Sequence, residues 1–128
     1  MALLVDSAVY IDLMRAGHDP RQVLLPHLRA CELYNCGIVR TEVIRGMKHP
    51  RLKTEMESFF DIIPEVPCDP KLWRVVSDIG WKLGRKGKWP PVTDLVIAAC
   101  ALRVGATLIS PDSHFADIEG LNWRKTLP

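Results

Sequence analysis

The chain has 128 residues, of which 48% are hydrophobic and 25% are charged, and its formal net charge is +2. This length suffices for one domain with a hydrophobic core, and so small a net charge does not by itself indicate a nucleic-acid-binding protein. No apolar run approaches the roughly 20 residues of a membrane span, and the first residues lack the basic segment of a signal peptide. We therefore expect a single domain over residues 1–128, no membrane association and a cytoplasmic location.

Short apolar runs alternate with helical patterns in the first half of the chain. Asp19-Pro20 is a helix cap followed by a first-turn proline, and Pro26 should kink the resulting helix or divide it into two pieces. Pro64 would confine a strand around it to a sheet edge. The predicted elements are strands at residues 3–5, 33–37 and 61–66, and helices at residues 7–16, from 20 onward, 38–47 and 51–60.

The second half repeats this alternation around one strongly apolar segment. Asp69-Pro70 predicts another helix start, and Gly84 and Gly87 should loosen the end of that helix. Strands that alternate with helices predict an α/β sandwich with a mostly parallel sheet. The predicted elements are a helix at residues 70–83, a basic segment at 82–88, a turn at 89–91, a central apolar helix from 93 or 94 to 104, a strand from 107, and an edge strand within 121–127.

Four carboxylates stand out by their positions in this pattern. Asp6 and Asp112 each follow a short apolar run and precede a serine, and ligands of an open parallel sheet bind beyond the carboxyl ends of its strands. Asp94 lies in the first turn of the apolar helix, and Glu42 lies on an earlier helix. Acids gathered at one sheet edge need a counter-charge, for which Mg²⁺ or Mn²⁺ is suited by its preference for oxygen ligands. Such sites perform metal-assisted phosphoryl transfer.

Each acid also has a separate structural explanation. Asp94 would interact favourably with the dipole of its helix, and Asp6 and Asp112 would cap the helices that follow them. Glu42 would form a surface ion pair with Arg45. These explanations must hold at four positions independently, whereas one shared metal site accounts for all four.

Four segments together resemble the PIN-domain ribonucleases, and within them the VapC toxins of type II toxin–antitoxin pairs. The resemblance implies an α/β/α sandwich, Mg²⁺- or Mn²⁺-dependent endonuclease action on RNA, a homodimer and inhibition by a cognate antitoxin. The segments occur in the order of the family and are Leu4-Val5-Asp6-Ser7, Arg40-Thr41-Glu42-Val43-Ile44-Arg45-Gly46, Thr93-Asp94-Leu95-Val96-Ile97-Ala98-Ala99 and Asp112-Ser113-His114-Phe115.

The resemblance also assigns roles to individual residues. The catalytic and metal-binding positions of the family fall on Asp6, Glu42, Asp94 and Asp112, and Ser7 takes the place of its small hydroxyl residue. The chain departs from the family at Pro111, which directly precedes the last acid. Asp117 is a further candidate ligand, for which a surface helical position is the alternative explanation.

Several basic residues are candidates for RNA contact. His114 could bind phosphate or assist proton transfer, with packing beside Phe115 as the alternative. The basic segment at residues 82–88, flanked by Trp81 and Trp89, could follow an RNA backbone and stack a base, or simply be a solvated helix end. Surface ion pairs would explain the remaining candidates equally well. The full set of RNA-binding candidates is Ser7, Arg40, Arg45, Arg85, Lys86, Lys88 and His114.

Other functions remain open at this level. A housekeeping PIN nuclease would lack an antitoxin, and a PIN-like binding module would lack hydrolysis. A phosphatase with Asp6 as nucleophile would need a second aspartate at the position of Ala8. For a toxin, we expect an antitoxin segment to cover apolar grooves near Tyr10 and Leu13.

The cysteines do not indicate a metal site. Their spacing lacks the paired pattern of zinc sites, so we expect buried, reduced thiols. The residues are Cys31, Cys36, Cys68 and Cys100.

Overall fold

Four parallel strands form the centre of the protein in a computed structural model that describes residues 1–128. The strand order is β2-β1-β3-β4, and every neighbouring pair is parallel. The first and third strands to appear in the chain are therefore central, and β4 is an edge strand, as predicted for the tail. The strands are β1 (Leu3–Val5), β2 (Leu33–Tyr34), β3 (Thr107–Ile109) and β4 (Trp123–Arg124).

Helices cover both faces of this sheet, which confirms the predicted α/β sandwich. Parallel strands require crossover connections, and helices supply them here. The helices are α1 (Ser7–Arg15), α2 (Pro20–Arg29), α3 (Gly37–Arg45), α4 (Pro50–Asp61), α5 (Pro70–Arg85) and α6 (Val92–Val104), and a 3-10 turn follows at Ser113–Asp117. None of them is long and apolar enough to cross a membrane.

Helix α6 is the central helix that its sequence predicts. Every residue from 95 to 101 is buried, and the small side chains of Ala98 and Ala101 are completely so. Gly105 ends the helix with φ +64°, a left-handed conformation that favours glycine. Because β3 begins two residues later, at Thr107, this turn fixes where the chain enters the sheet.

A charged contact fixes α5 against α6. The carboxylate of Asp69 accepts a hydrogen bond from the backbone N–H of Leu72, which caps α5. It also receives two bonds from the guanidinium of Arg103, at 2.7 and 2.6 Å. One side chain therefore both starts α5 and holds it on α6, the helix that carries Asp94.

Three predicted features of the backbone are wrong. Residues 61–66 form no strand, because α4 continues to Asp61 and only an isolated bridge joins Asn35 to Glu65. Helix α2 is one continuous helix, so the predicted division into two pieces is wrong, whereas the alternative, a kink at Pro26, stays a prediction. The hydrogen bond that Pro26 cannot donate would have gone to Gln22, and both residues are exposed, so water can satisfy the free carbonyl.

The third correction concerns Gly84, which lies inside α5 because the helix continues to Arg85, whereas Gly87 follows the helix end with φ +75°, as predicted. A Cβ atom at Gly84 would lie 2.9 Å from the ring of Trp89. This glycine therefore makes room for a neighbouring side chain rather than ending the helix.

Two further predictions are refined. The strand predicted at residues 33–37 has only two residues, because α3 already begins at Gly37. All four cysteines are free, but only Cys36 and Cys100 are buried, whereas Cys31 and Cys68 are exposed. Burial of the latter two was wrongly predicted, since both lie in connections between elements.

Candidate metal-binding site

The carboxylate of Asp6 forms the buried end of the site. Asp6 directly follows β1, its side chain is 2% exposed, and its backbone N–H bonds to the carbonyl of Ile109 on β3. Its Oδ2 accepts a hydrogen bond of 2.8 Å from the hydroxyl of Ser110. The residue is therefore fixed by two adjacent central strands at their carboxyl ends.

Ser110 connects two of the predicted acids and was not identified from the sequence. Its Oγ donates to Asp6 and also accepts from the backbone N–H of Asp112, at 3.1 Å. The indole of Trp123 on β4 donates to the Ser110 carbonyl at 2.9 Å. The available signal was a polar residue closing an apolar strand, but its partners belong to separate strands and only the fold reveals them.

Ser7 joins Glu42 to the same group. The hydroxyl of Ser7 lies 3.0 Å from Oε1 of Glu42 and 3.3 Å from Oδ1 of Asp6. A hydroxyl carries one proton, so Ser7 donates to only one of these acids at a time. The first turns of α1 and the middle of α3 thus bring two carboxylates onto one small side chain.

The exposed end of the site contains Asp94, Asp112 and His114. Potential ligand atoms of these residues all lie within 4.8 Å of one another. Nε2 of His114 is 2.7 Å from Oδ2 of Asp94, and the imidazole also packs on Phe115 with 4.7 Å between ring centroids. The predicted packing of His114 beside Phe115 is therefore confirmed, and its predicted role in phosphate binding or proton transfer stays a prediction. Pro111 does not turn Asp112 away from Asp94.

The separate structural explanations of the acids fit poorly. Asp6 and Asp112 precede helical segments, but neither side chain forms a capping hydrogen bond. Glu42 forms no ion pair, so Arg45 is not its partner. Asp94 lies in the first turn of α6, where its charge interacts favourably with the helix dipole, and this is compatible with a role in the site.

Electrostatics disfavour this arrangement without a cation. Burial raises the pKa of Asp6 above its ordinary value, the Ser110 hydrogen bond lowers it, and the charges of Asp94 and Glu42 raise it further. Burial also raises the pKa of Asp94, which His114 lowers and the charge of Asp112 raises. The acids thus repel one another in a partly dry environment, and a divalent ion would reverse this cost.

The donor set fits a hard divalent cation. Carboxylate oxygens dominate it, which is the preference of Mg²⁺ and Mn²⁺, and His114 adds one nitrogen. The hydroxyls of Ser7 and Ser110 form hydrogen bonds to Asp6, as polar partners commonly do for metal ligands. No cysteine takes part in the group.

The predicted basic residues are distributed unevenly around the acids. Arg45 lines a 600 Å³ cavity together with Glu42, and Lys88 lines a 300 Å³ cavity together with His114. Arg40 instead bonds to Asp61 at 2.6 Å, and the guanidinium of Arg85 lies over Trp81.

Two other residues lie outside the acid cluster. The carboxylate of Asp117 lies 2.9 Å from Nζ of Lys88, which favours its surface interpretation over that of an extra ligand. Lys86 lines a third cavity, of 470 Å³, and neither Asp94 nor Glu42 lines this cavity.

Together, the fold and the site define an α/β protein with acidic side chains gathered at the carboxyl edge of a parallel sheet. The family model for the PIN domain matches residues 3–121. The chain belongs to the PIN domain family.

Individual relatives support the same fold. Ribonuclease VapC3 of Methanocaldococcus jannaschii is 29% identical over 99 residues, covering 77% of this chain and 97% of the relative. The structure of VapBC2 from Rickettsia felis, bound to a DNA fragment from its promoter, superimposes with a TM-score of 0.78 at 19% identity, covering 97% of this chain and 98% of that one. VapBC-1 from nontypeable Haemophilus influenzae gives 0.75 at 21% identity, with 97% of each chain covered. The predicted PIN-like α/β/α fold is confirmed.

The raised pKa of Asp6 predicts how the stability of the metal-free protein depends on pH. A carboxyl group with a raised pKa binds its proton more tightly in the folded state, so its contribution to stability is lost as pH rises through the folded-state pKa. In EDTA, Asp6→Asn should therefore raise the melting temperature relative to wild type, increasingly so from about pH 4 to about pH 7. Asp12→Asn, an exposed acid on α1, serves as the control. A gain that shrinks towards neutral pH would contradict the electrostatic argument.

Ser110→Ala tests whether the buried hydroxyl supports metal binding. The change removes the donor to Oδ2 of Asp6 and the acceptor for Asp112. We expect Mg²⁺ affinity, measured by calorimetry, to fall by about 10-fold or more, as for other partners of metal ligands. Ser77→Ala removes a hydroxyl that bonds only to the Trp73 carbonyl and should leave Mg²⁺ affinity unchanged. If the two variants bound Mg²⁺ with equal affinity, the proposed contribution of Ser110 to metal binding would be wrong.

Proposed function

We propose that this protein is a divalent-metal-dependent endoribonuclease toxin of the VapC type, restrained by a cognate antitoxin. The observation that carries the proposal is that the hydroxyls of Ser7 and Ser110 hold Glu42 and Asp6 by hydrogen bonds in a chain of the PIN domain family. The similarity to a ribonuclease, VapC3, supports RNA as the substrate. The proposal includes a cytoplasmic location, where RNA is present and free thiols stay reduced, and a homodimer.

The proposed mechanism assigns metal binding to Asp6, Glu42, Asp94 and Asp112, with Mg²⁺ or Mn²⁺ as the cation. When bound, the ion supplies Lewis-acid activation of water and of the scissile phosphate. Ser110 keeps Asp6 oriented, and Ser7 donates its one hydroxyl proton to either Asp6 or Glu42. His114 holds its Nε2 against Asp94 and so places an exchangeable proton at the edge of the reacting centre.

Basic residues around the acids bind the RNA backbone in this proposal. Arg45 lies on the Glu42 side and Lys88 on the His114 side, so phosphates on both sides of the scissile bond have a cation within the two cavities. Arg40 contributes less, because Asp61 already holds its guanidinium. Arg85 and Lys86 extend the positive surface further from the acids.

The antitoxin site is proposed in the groove between α1, α3 and α4. A 600 Å³ cavity there adjoins a second of 350 Å³, and the two share Met14, Met47 and Leu52. Tyr10 is not available to a partner, since it is 1% exposed and packs on Phe60, which corrects the expectation from sequence. Because Glu42 lines the same groove, a bound segment reaches the acids directly.

The chemistry of this groove defines the segment that fits it. Met14, Met47 and Leu52 favour apolar side chains, and Arg15 and Arg45 favour a carboxylate. A basic side chain directed at Glu42 would occupy the place of a cation. A short amphipathic segment with these features binds by occupancy and needs no change of fold.

Asparagine substitutions at the acids test the nuclease activity. Asp6→Asn and Asp94→Asn preserve shape but remove ligand charge, so cleavage of single-stranded RNA should fall by about 100-fold or more. EDTA should abolish wild-type cleavage and added Mg²⁺ should restore it, while Asp12→Asn should cleave normally. Undiminished cleavage in EDTA would contradict a metal mechanism, and absence of cleavage with Mg²⁺ or Mn²⁺ would favour a binding module.

Co-expression with the adjacent reading frame tests the restraint of the toxin. Expression alone should arrest growth, and co-expression should restore growth and yield a complex that co-purifies. Asp94→Asn should remove toxicity and keep the complex, whereas Met47→Arg should weaken the complex because it places a charge in the apolar groove. Harmless expression of an enzyme that is active in vitro would favour a housekeeping nuclease without an antitoxin.

A further inference from the structure

Trp89 is an exposed aromatic side chain whose ring packs against a glycine of α5. It is 77% exposed, the most of any tryptophan here. A Cβ atom at Gly84 would lie 2.9 Å from Cη2 of its ring and 3.3 Å from Cζ2 and Cζ3, so the ring rests against the one residue of this helical turn that lacks a side chain. Pro90 and Pro91 follow and restrict the backbone. The ring is thus held in place while most of its surface faces solvent.

The same ring lines a cavity that leads to the acid cluster. The cavity has a volume of 300 Å³, and its wall includes Lys88, Trp89, Pro90 and His114. Nε2 of His114 contacts Oδ2 of Asp94 at 2.7 Å. A molecule that occupies this cavity therefore touches a direct neighbour of a proposed metal ligand.

Lys88 supplies a cation beside the exposed ring. Its ammonium lies 2.9 Å from Asp117, and both side chains are nearly half exposed. This ion pair keeps Lys88 at the cavity, and an incoming phosphate can compete with Asp117 for it because exposed pairs are weak. Proteins that bind single-stranded nucleic acids combine an aromatic face, which stacks on a base, with a neighbouring cation, which binds phosphate.

We propose that Trp89 is a stacking platform for one unpaired nucleobase of the RNA substrate, with Lys88 binding the adjoining phosphate. This inference rests on the proposed ribonuclease function and adds a substrate-positioning subsite to it. Stacking accepts any base, so the subsite selects single-stranded over duplex RNA rather than a sequence. The nucleotide bound here fixes which phosphate reaches the acids.

Neither of the other exposed tryptophans lines the cavity beside His114. Arg85 lies over the ring of Trp81, 5.1 Å from its centroid. Trp73 is 45% exposed on α5 and lines neither the cavity nor the acid cluster. Continuity with the acids and the neighbouring cation favour RNA over a protein partner at Trp89.

Binding of a short, labelled single-stranded RNA, followed by fluorescence anisotropy, tests the subsite without cleavage. Measurements are made in an Asp6→Asn background, which retains His114 and Asp94. Trp89→Ala should weaken binding about tenfold, a typical loss for one stacked base, and Trp89→Phe should retain most of the affinity. Trp73→Ala should bind like its parent. A duplex of the same sequence should bind equally to all four proteins.

Gly84→Ala gives a second test that leaves Trp89 intact. Its new methyl group displaces the ring, so affinity for single-stranded RNA should fall towards that of Trp89→Ala. Alanine favours helix more than glycine does, so the melting temperature should not fall. In the cleavage-competent protein, Trp89→Ala should raise KM with little change in kcat.

The outcomes separate this subsite from the ribonuclease proposal. If wild type cleaves RNA but Trp89→Ala binds and cleaves it equally well, the subsite is wrong and the ribonuclease proposal stands. If Trp89→Ala weakens only the complex with a protein partner, Trp89 is a protein contact and the subsite is also wrong. If wild type neither binds nor cleaves RNA, both proposals fail.

Discussion

The arrangement of this protein depends on holding several carboxylates together at one edge of a parallel sheet. Asp6 is almost completely buried, yet its charged form is disfavoured by burial and by neighbouring acids. Hydroxyl groups from Ser7 and Ser110 keep it in place, and each hydroxyl also contacts a second acid or its backbone. Small polar side chains thus connect the acids without neutralising their charge. The acids still repel one another, and a bound divalent ion would replace this repulsion with attraction.

The arrangement of strands and helices brings the acids together at this edge of the sheet. Adjacent central strands β1 and β3 end side by side, which places Asp6 and Ser110 within hydrogen-bonding distance although 104 positions separate them. Helix α6 must approach the sheet closely to bring Asp94 to the same edge, and its alanines permit this. The Asp69–Arg103 contact then anchors α6 to α5, so the position of Asp94 depends on packing remote from it.

Local sequence patterns predicted where these acids lie in the fold, because their positions are set by nearby strand and helix ends; their role as metal ligands stays a prediction. Asp6 and Asp112 follow apolar runs, and Asp94 begins an unusually apolar helix, all of which are visible over a few residues. Ser110 was missed because its role depends on contacts across strands. The strand wrongly predicted at residues 61–66 shows the opposite difficulty: its apolar side chains are compatible with a strand, but α4 continues into this segment and only one bridge to Asn35 forms.

The different exposures of the acids show from which side a substrate can reach the site. Asp6 is buried and Asp112 is exposed, so access is from the side of the 3-10 turn. Two separate cavities meet the cluster, one through Glu42 and the other through His114. In the proposed toxin, these are the places of the antitoxin segment and of an unpaired base. An antitoxin bound at Glu42 would then act on the metal ligands without having to displace the base from Trp89. Because Arg45 lines the same cavity, inhibition would follow from loss of the cation together with loss of one phosphate contact, while the stacking contact stays free.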